Sequence, residues 1–109
     1  MNRYCFILDL KDDAALIAEY EAYHRAVWPE ILQSIRESGI ADMQIYRRHN
    51  RLMMIMDTDD AFSFVDKAKA DASNEKVQQW EALMWKYQQS LPGMLPDEKW
   101  QLMNKIFQL

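Results

Sequence analysis

Hydrophobic side chains occur along this chain in two patterns, unbroken runs and helically spaced stripes. As strands, the runs RYCFILDL at 3–10 and LMMIMDT at 52–58 would carry apolar side chains on both faces. The run DMQIYRR at 42–48 instead alternates apolar and polar residues. A strand that is apolar on both faces lies in the middle of a covered sheet, and an alternating strand lies nearer its edge. The pattern therefore predicts three strands, of which the first and third are central.

Stripes with helical spacing lie between the first two strands. A helix is predicted to begin near Ala14 after an aspartate cap and to run to Trp28, because Pro29 interrupts it there. A second helical piece then runs from Pro29 to Ser38 and ends before Gly39, the residue type that favours a helix C-terminus.

The second half of the chain predicts two more helical segments, near 60–70 and 75–89. The segment LPGMLPDEKW at 91–100 has the glycine and proline content of a loop, and LMNKIFQL at 102–109 predicts a closing strand. The turn HNR joins the second and third strands, with Asn50 suited to a positive φ.

This order, β-α-β-β-α-β, predicts an α+β fold with a ferredoxin-like sheet in a single domain over residues 1–109. Helices can cover only one face of such a sheet. A second copy of the chain is the economical cover for the other face. We therefore expect a homodimer of the dimeric α+β barrel type, with two sheets face to face.

Composition narrows the functional classes. The chain has 109 residues, 28% of them charged, and a net charge of −4, so no general attraction to nucleic acid is expected. No apolar run approaches the length of a membrane span, and the simplest expected location is the cytoplasm. One cysteine, two separated histidines and two glycines predict neither a metal cluster nor a phosphate-binding loop.

Candidate chemistry lies in YEAYHRAVWP at 20–29, where Tyr20, His24 and Trp28 would share one helical row. Histidine titrates near neutral pH, so His24 could move a proton, and an aromatic face such as that of Trp28 could pack against a sugar ring. Aromatic rows in helices are mostly core, so the pattern alone favours ordinary core packing for this row. Trp85 lies beside the apolar stripe of the last helix and could belong to core or pocket, whereas Trp80 lies on that stripe and is predicted to be core.

Several fragments together resemble the L-rhamnose mutarotase family over nearly the whole chain, in order. They are EYEAYHRAVWPEIL at 19–32, SGI at 38–40, IYRRHNRLMMIM at 45–56, WKYQQSLP at 85–92 and the terminal KIFQL. The resemblance implies a small, dimeric, cofactor-free ferredoxin-like unit that interconverts the α and β anomers of a 6-deoxy sugar.

By this resemblance His24 is the proton donor, and Tyr20 and Trp85 bind the sugar. Two positions depart from the family pattern and affect sugar contacts: Met84 replaces the first tryptophan of a Trp-Trp pair, and Met43 replaces a strand tyrosine. The pattern WEALMW…LPG…EKW is more similar to the branch associated with L-fucose. L-fucose is therefore the favoured substrate and L-rhamnose the next.

The expected mechanism is acid-base ring opening, with a tyrosine, a carboxylate or water as the base. Two alternatives remain open because fold alone does not fix function. One is a cofactor-free monooxygenase or haem-handling protein of the same architecture. The other is a non-catalytic dimer that binds a small ligand.

Overall fold

The fold is a single antiparallel sheet with four helices. The computed structural model describes residues 1–109. The strands are β1 (Asn2–Leu10), β2 (Ile40–Arg48), β3 (Arg51–Thr58), β4 (Gln88–Gln89) and β5 (Gln101–Leu102). The helices are α1 (Ala14–His24), α2 (Pro29–Glu37), α3 (Phe64–Ala72) and α4 (Glu75–Trp85).

The strand order is β2-β3-β1-β4, with β5 also paired to β1. This order places the first and third strands in the centre and confirms the prediction of a ferredoxin-like α+β fold. In the antiparallel register of β1 and β3, Leu8 is opposite Leu52 and Phe6 is opposite Met54. Ile45 of β2 is in turn opposite Met54, so apolar side chains form continuous rows across one face of the sheet.

All four helices pack on that face. Leu10 and Leu52 are buried in one cluster with side chains of α1, α2 and α4, and Phe64 of α3 contacts the ring of Tyr4 with 4.8 Å between centroids. The opposite face has no helix on it. At its centre lie partly buried apolar side chains, namely Cys5, Ile7, Met53 and Ile55. We call these four residues the open face.

The boundary between the first two helices differs from the prediction. Asp13 caps α1 as expected, because its side chain accepts a hydrogen bond from the backbone N–H of Leu16 at 3.0 Å. However, α1 ends at His24, and the prediction that it continues to Trp28 is wrong. Trp28 has an extended ψ of 134°, because a residue before proline is driven out of the helical region. Trp28 therefore does not lie on the helical row of Tyr20 and His24.

The turn between β2 and β3 also differs in detail. His49 has the positive φ, 51°, and the prediction for Asn50 is wrong. Asn50 instead forms hydrogen bonds between the turn and the end of β1. Its side-chain amide donates to the carbonyl of Leu10 at 3.1 Å, and its own carbonyl accepts from the backbone N–H of Leu10.

The C-terminal part departs most from the prediction. Helix α4 ends at Trp85, and Gln88–Gln89 pairs with the end of β1 as a short strand instead of extending the helix. The predicted strand over 102–109 is wrong beyond its first residue. The backbone N–H of Met103 donates to the carbonyl of Cys5 at 2.8 Å, and no further backbone hydrogen bond joins the tail to the sheet. Apolar side chains of the tail are exposed, among them Ile106, Phe107 and Leu109.

Candidate active site

A cavity of about 770 Å³ lies between the sheet and the helices. Its walls are mainly hydrophobic and come from α1, α2, α3, α4 and the covered face of the sheet. Four of the residues singled out from the sequence line it, namely Tyr20, His24, Met43 and Met84. The size and the mainly apolar lining are typical of a small-molecule site.

His24 is the last residue of α1, and its ring is held by the helix itself. Its Nδ1 lies 2.8 Å from the backbone carbonyl oxygen of Tyr20. A carbonyl oxygen only accepts hydrogen bonds, so Nδ1 carries a proton and donates it. The second ring nitrogen, Nε2, is then left for a ligand, as an acceptor in the neutral ring and as a donor in the imidazolium form. This geometry suits a group that transfers a proton through Nε2.

Tyr20 lies beside His24, with 4.4 Å between the ring centroids, and is only 3% exposed. Its hydroxyl accepts a hydrogen bond from Nε2 of Gln88 at 3.1 Å. Burial raises the pKa of Tyr20 to about 12, although the bond from Gln88 acts in the opposite direction. The phenol is therefore neutral at pH 7 and can donate a hydrogen bond.

The aromatic ring of Trp80 packs beside that of His24. Trp80 contacts the ring of His24 at 5.9 Å and that of Trp28 at 5.1 Å, measured between centroids. Trp80 is buried, as its place on the α4 stripe predicted, but it also lines the cavity. Trp28 does not line the cavity and supports Trp80 from the other side. Sequence reasoning missed that one side chain could serve both core and pocket.

Charged side chains are also found in the cavity wall. Lys67 and Asp71 of α3 form an ion pair at 2.6 Å, which occupies that carboxylate. Asp42 and Glu81 also line the cavity and are the other carboxylates that a ligand could reach. The structure contains no group of three histidine, cysteine, aspartate or glutamate side chains that could hold a metal ion. The longest helices have 11 residues, too few to span a bilayer.

Sequence comparison places this site in a known family. The sequence model of the L-rhamnose mutarotase family matches residues 3–109. The chain belongs to the L-rhamnose mutarotase family. The resemblance found in the sequence is thus confirmed, and His24 and Tyr20 lie together in the main cavity of a family member.

One relative supports the family assignment, and one solved structure supports the fold. The chain is 48% identical to an L-fucose mutarotase of Xanthomonas campestris pv. campestris, over 100% of this chain and 89% of that protein. The crystal structure of an L-rhamnose mutarotase from Formosa agariphila superposes with a TM-score of 0.74 at 21% identity, over 100% of this chain and 99% of that one. The latter identity is low, so this second likeness supports the fold alone.

A third similarity shows how widely the fold is used. Tetracenomycin F2 cyclase from Streptomyces glaucescens, a type II polyketide cyclase, superposes with a TM-score of 0.62 at 16% identity, over 100% of this chain and 99% of that one. Because one fold serves different chemistries, the function of a mutarotase family member has to be argued from its site.

The tryptophan that the family pattern assigns to sugar binding lies elsewhere in this family member. Trp85 lines a second, smaller cavity of about 550 Å³ together with Lys11 and part of the loop after β4. The ammonium group of Lys99 lies 5.5 Å from the centre of the Trp85 ring. The structure thus brings Tyr20, His24, Met43 and Met84 into one cavity and leaves Trp85 and Trp28 outside it. A sugar contact by Trp85 stays a prediction.

Proposed function

We propose that this protein is an aldose mutarotase that interconverts the α and β anomers of a 6-deoxyhexose, with L-fucose favoured and L-rhamnose next. The observation that carries the proposal is the pairing of His24 and Tyr20. His24 keeps Nε2 free for proton transfer, and the neutral hydroxyl of Tyr20 lies beside it in the same cavity. Membership of the L-rhamnose mutarotase family and the 48% identity to an L-fucose mutarotase support the reaction and the favoured sugar.

The reaction needs one acid and one base. His24, as imidazolium, donates the Nε2 proton to the ring oxygen while a base removes the proton of the anomeric hydroxyl. The bond between the anomeric carbon and the ring oxygen breaks, and an open-chain aldehyde forms. The aldehyde rotates and closes from its other face, and the two protons return to give the other anomer. Asp42, Glu81 or bound water supplies the base, because Tyr20 stays protonated.

Sugar binding divides between polar and apolar groups. Tyr20 donates a hydrogen bond to a sugar hydroxyl, and Met43 and Met84 are apolar lining residues suited to contact the methyl group of a 6-deoxy sugar. Trp28 acts through Trp80, which it supports at 5.1 Å. Trp85 remains a proposed sugar contact from the neighbouring cavity. No cofactor takes part in these steps.

The test is to record exchange between the anomeric proton signals by NMR, for L-fucose and L-rhamnose, with and without the protein. We expect faster exchange with the protein for both sugars, and the larger acceleration for L-fucose. The uncatalysed rate in the same buffer is the reference. Unchanged exchange of both sugars would contradict the proposal, whereas a larger effect on L-rhamnose would overturn only the order of substrates.

The proposed active form is a homodimer in the cytoplasm, joined through the open face of the sheet. The apolar centre of that face lies between two ion pairs, Arg3 with Asp57 at 2.8 Å and Arg51 with Asp9 at 2.8 Å. An apolar centre with a polar rim is the usual composition of a protein interface. The C-terminal tail adds apolar side chains that its own chain leaves exposed, including Ile106 and Phe107. Both features support contact with a second copy.

Replacing Ile55 by glutamate tests the homodimer, because it puts a charge at the centre of the open face. Light scattering should give twice the chain mass of 13.0 kDa for the native protein and the single mass for Ile55→Glu. Val65→Glu is the matched control, since Val65 is 63% exposed on a helix and its replacement leaves the dimer intact. A native protein that is monomeric at every concentration tested would contradict this proposal.

A further inference from the structure

Gln88 is a polar residue buried among apolar ones. It lies in β4, where it pairs with Leu10 of the central strand, and it is 7% exposed. It lines the main cavity, yet it is far in sequence from α1, which carries Tyr20 and His24. Burying a carboxamide is costly unless it is hydrogen-bonded, so its contact with Tyr20 has a structural reason to persist.

The contact determines how Tyr20 uses its hydroxyl. Nε2 of Gln88 donates to the phenol oxygen at 3.1 Å, across 68 positions of sequence. A phenol oxygen that already accepts a bond from this side keeps its own proton for another partner. The backbone carbonyl of Tyr20 meanwhile accepts from Nδ1 of His24. Tyr20 thus makes two separate hydrogen bonds, one to Gln88 through its hydroxyl and one to His24 through its backbone carbonyl.

We propose that Gln88 is a positioning residue, which holds the Tyr20 hydroxyl as a hydrogen-bond donor toward the sugar. The inference rests on the proposed mutarotase function and adds a residue to it. A glutamate at position 88 would accept a hydrogen bond from the Tyr20 hydroxyl, which would then no longer be available to donate to the sugar. A methionine would keep a similar volume but could not donate a hydrogen bond to the phenol oxygen. Glutamine is the side chain of this length that donates to the phenol oxygen without carrying a charge.

Saturation kinetics of anomer exchange separate this role from a purely structural one. The Tyr20 hydroxyl binds the sugar in ground state and transition state alike, so Gln88→Met should raise KM about 2- to 10-fold and leave kcat nearly unchanged. Gln88→Glu should raise KM further. The matched control is Gln33→Met, which removes a glutamine hydrogen bond to Glu37 on the exposed face of α2 and leaves both constants unchanged.

Three kinetic outcomes overturn the proposal. The first is a KM for Gln88→Met that equals that of Gln33→Met. The second is a native KM for Gln88→Glu, which would mean that sugar binding does not need a hydrogen bond donated by the Tyr20 hydroxyl. The third is an equal effect of Gln88→Met in the Tyr20→Phe protein, because a residue that acts through the hydroxyl has no further effect once the hydroxyl is absent.

A measurement without sugar keeps this test separate from that of the proposed function. In ¹H–¹⁵N spectra of the native protein, the side-chain amide protons of Gln88 should exchange with solvent more slowly than those of Gln33, and Tyr20→Phe should shift their signals. If neither is seen, the hydrogen bond is absent and the inference fails even if anomer exchange is catalysed. If both are seen but the protein does not accelerate anomer exchange of the sugar, the proposed mutarotase function fails and the positioning role fails with it.

Discussion

The His24→Asn variant is expected to lose most of its catalysis of anomer exchange, with a fall of about 100- to 10,000-fold in the catalysed rate. The amide nitrogen of asparagine can take the place of Nδ1 and donate to the carbonyl of Tyr20, so the end of α1 keeps its hydrogen bond. The variant has no counterpart of Nε2 and cannot protonate the ring oxygen. The rate is measured by NMR exchange of the anomeric protons at saturating sugar.

The second histidine of the chain provides the control for this experiment. His49 is exposed in the turn after β2, where its Nε2 contacts the carboxylate of Asp12 at 2.9 Å. His49→Asn should keep the native rate. Sugar binding by His24→Asn should survive, since Tyr20 and the apolar wall are unchanged. A native rate for His24→Asn would show that His24 is not the acid, and the pocket would then suit a non-catalytic ligand-binding protein.

The Trp80→Ala variant is expected to lower the free energy of unfolding by about 3–5 kcal/mol, the usual cost of removing a buried tryptophan. Trp80 is 9% exposed and stands between α1 and the start of α2, with Tyr23 at 6.3 Å and Trp28 at 5.1 Å between ring centroids. Its removal leaves a cavity that the surrounding rings fill only in part. Urea unfolding at a fixed protein concentration measures the loss.

Trp85→Ala is the comparison for Trp80→Ala, because both tryptophans lie on α4 and only Trp80 belongs to the buried cluster. Trp85 is partly exposed, so its replacement should cost clearly less stability. Equal losses for the two variants would contradict the assignment of Trp80 to the core. The activity of Trp85→Ala, measured in parallel, tests whether that residue contacts the sugar.

The central part of the fold could be predicted because hydrophobicity alone determines it. Strands β1 and β3 are apolar on both faces, and only a central position buries such strands. The short strand at Gln88–Gln89 has no such signal. It forms because its backbone pairs with Asp9 and Leu10, and that pairing depends on tertiary structure. The same limit explains the wrong strand over the tail, because its apolar content does not determine whether a neighbouring strand is available to pair with it.

The site was predicted in part for a similar reason. Tyr20 and His24 are four residues apart in a helix, and this local spacing brings them together. Gln88 gave no signal, since a glutamine in the run QQS has the composition of a surface segment. Its role arises only when β4 places it against Tyr20. The position of Trp85 likewise depends on the course of the loop after β4, which its sequence does not determine.

The two edges of β1 become paired at different stages of the chain's synthesis. One edge of β1 can pair with β3 as soon as Thr58 has emerged from the ribosome. The other edge pairs with Gln88–Gln89 and Gln101–Leu102, which are synthesised later. Until then the central strand has a free edge, which is the kind of surface that pairs with other chains. A nascent chain that has been synthesised past Thr58 but not yet to Gln88 is thus exposed to aggregation through this edge.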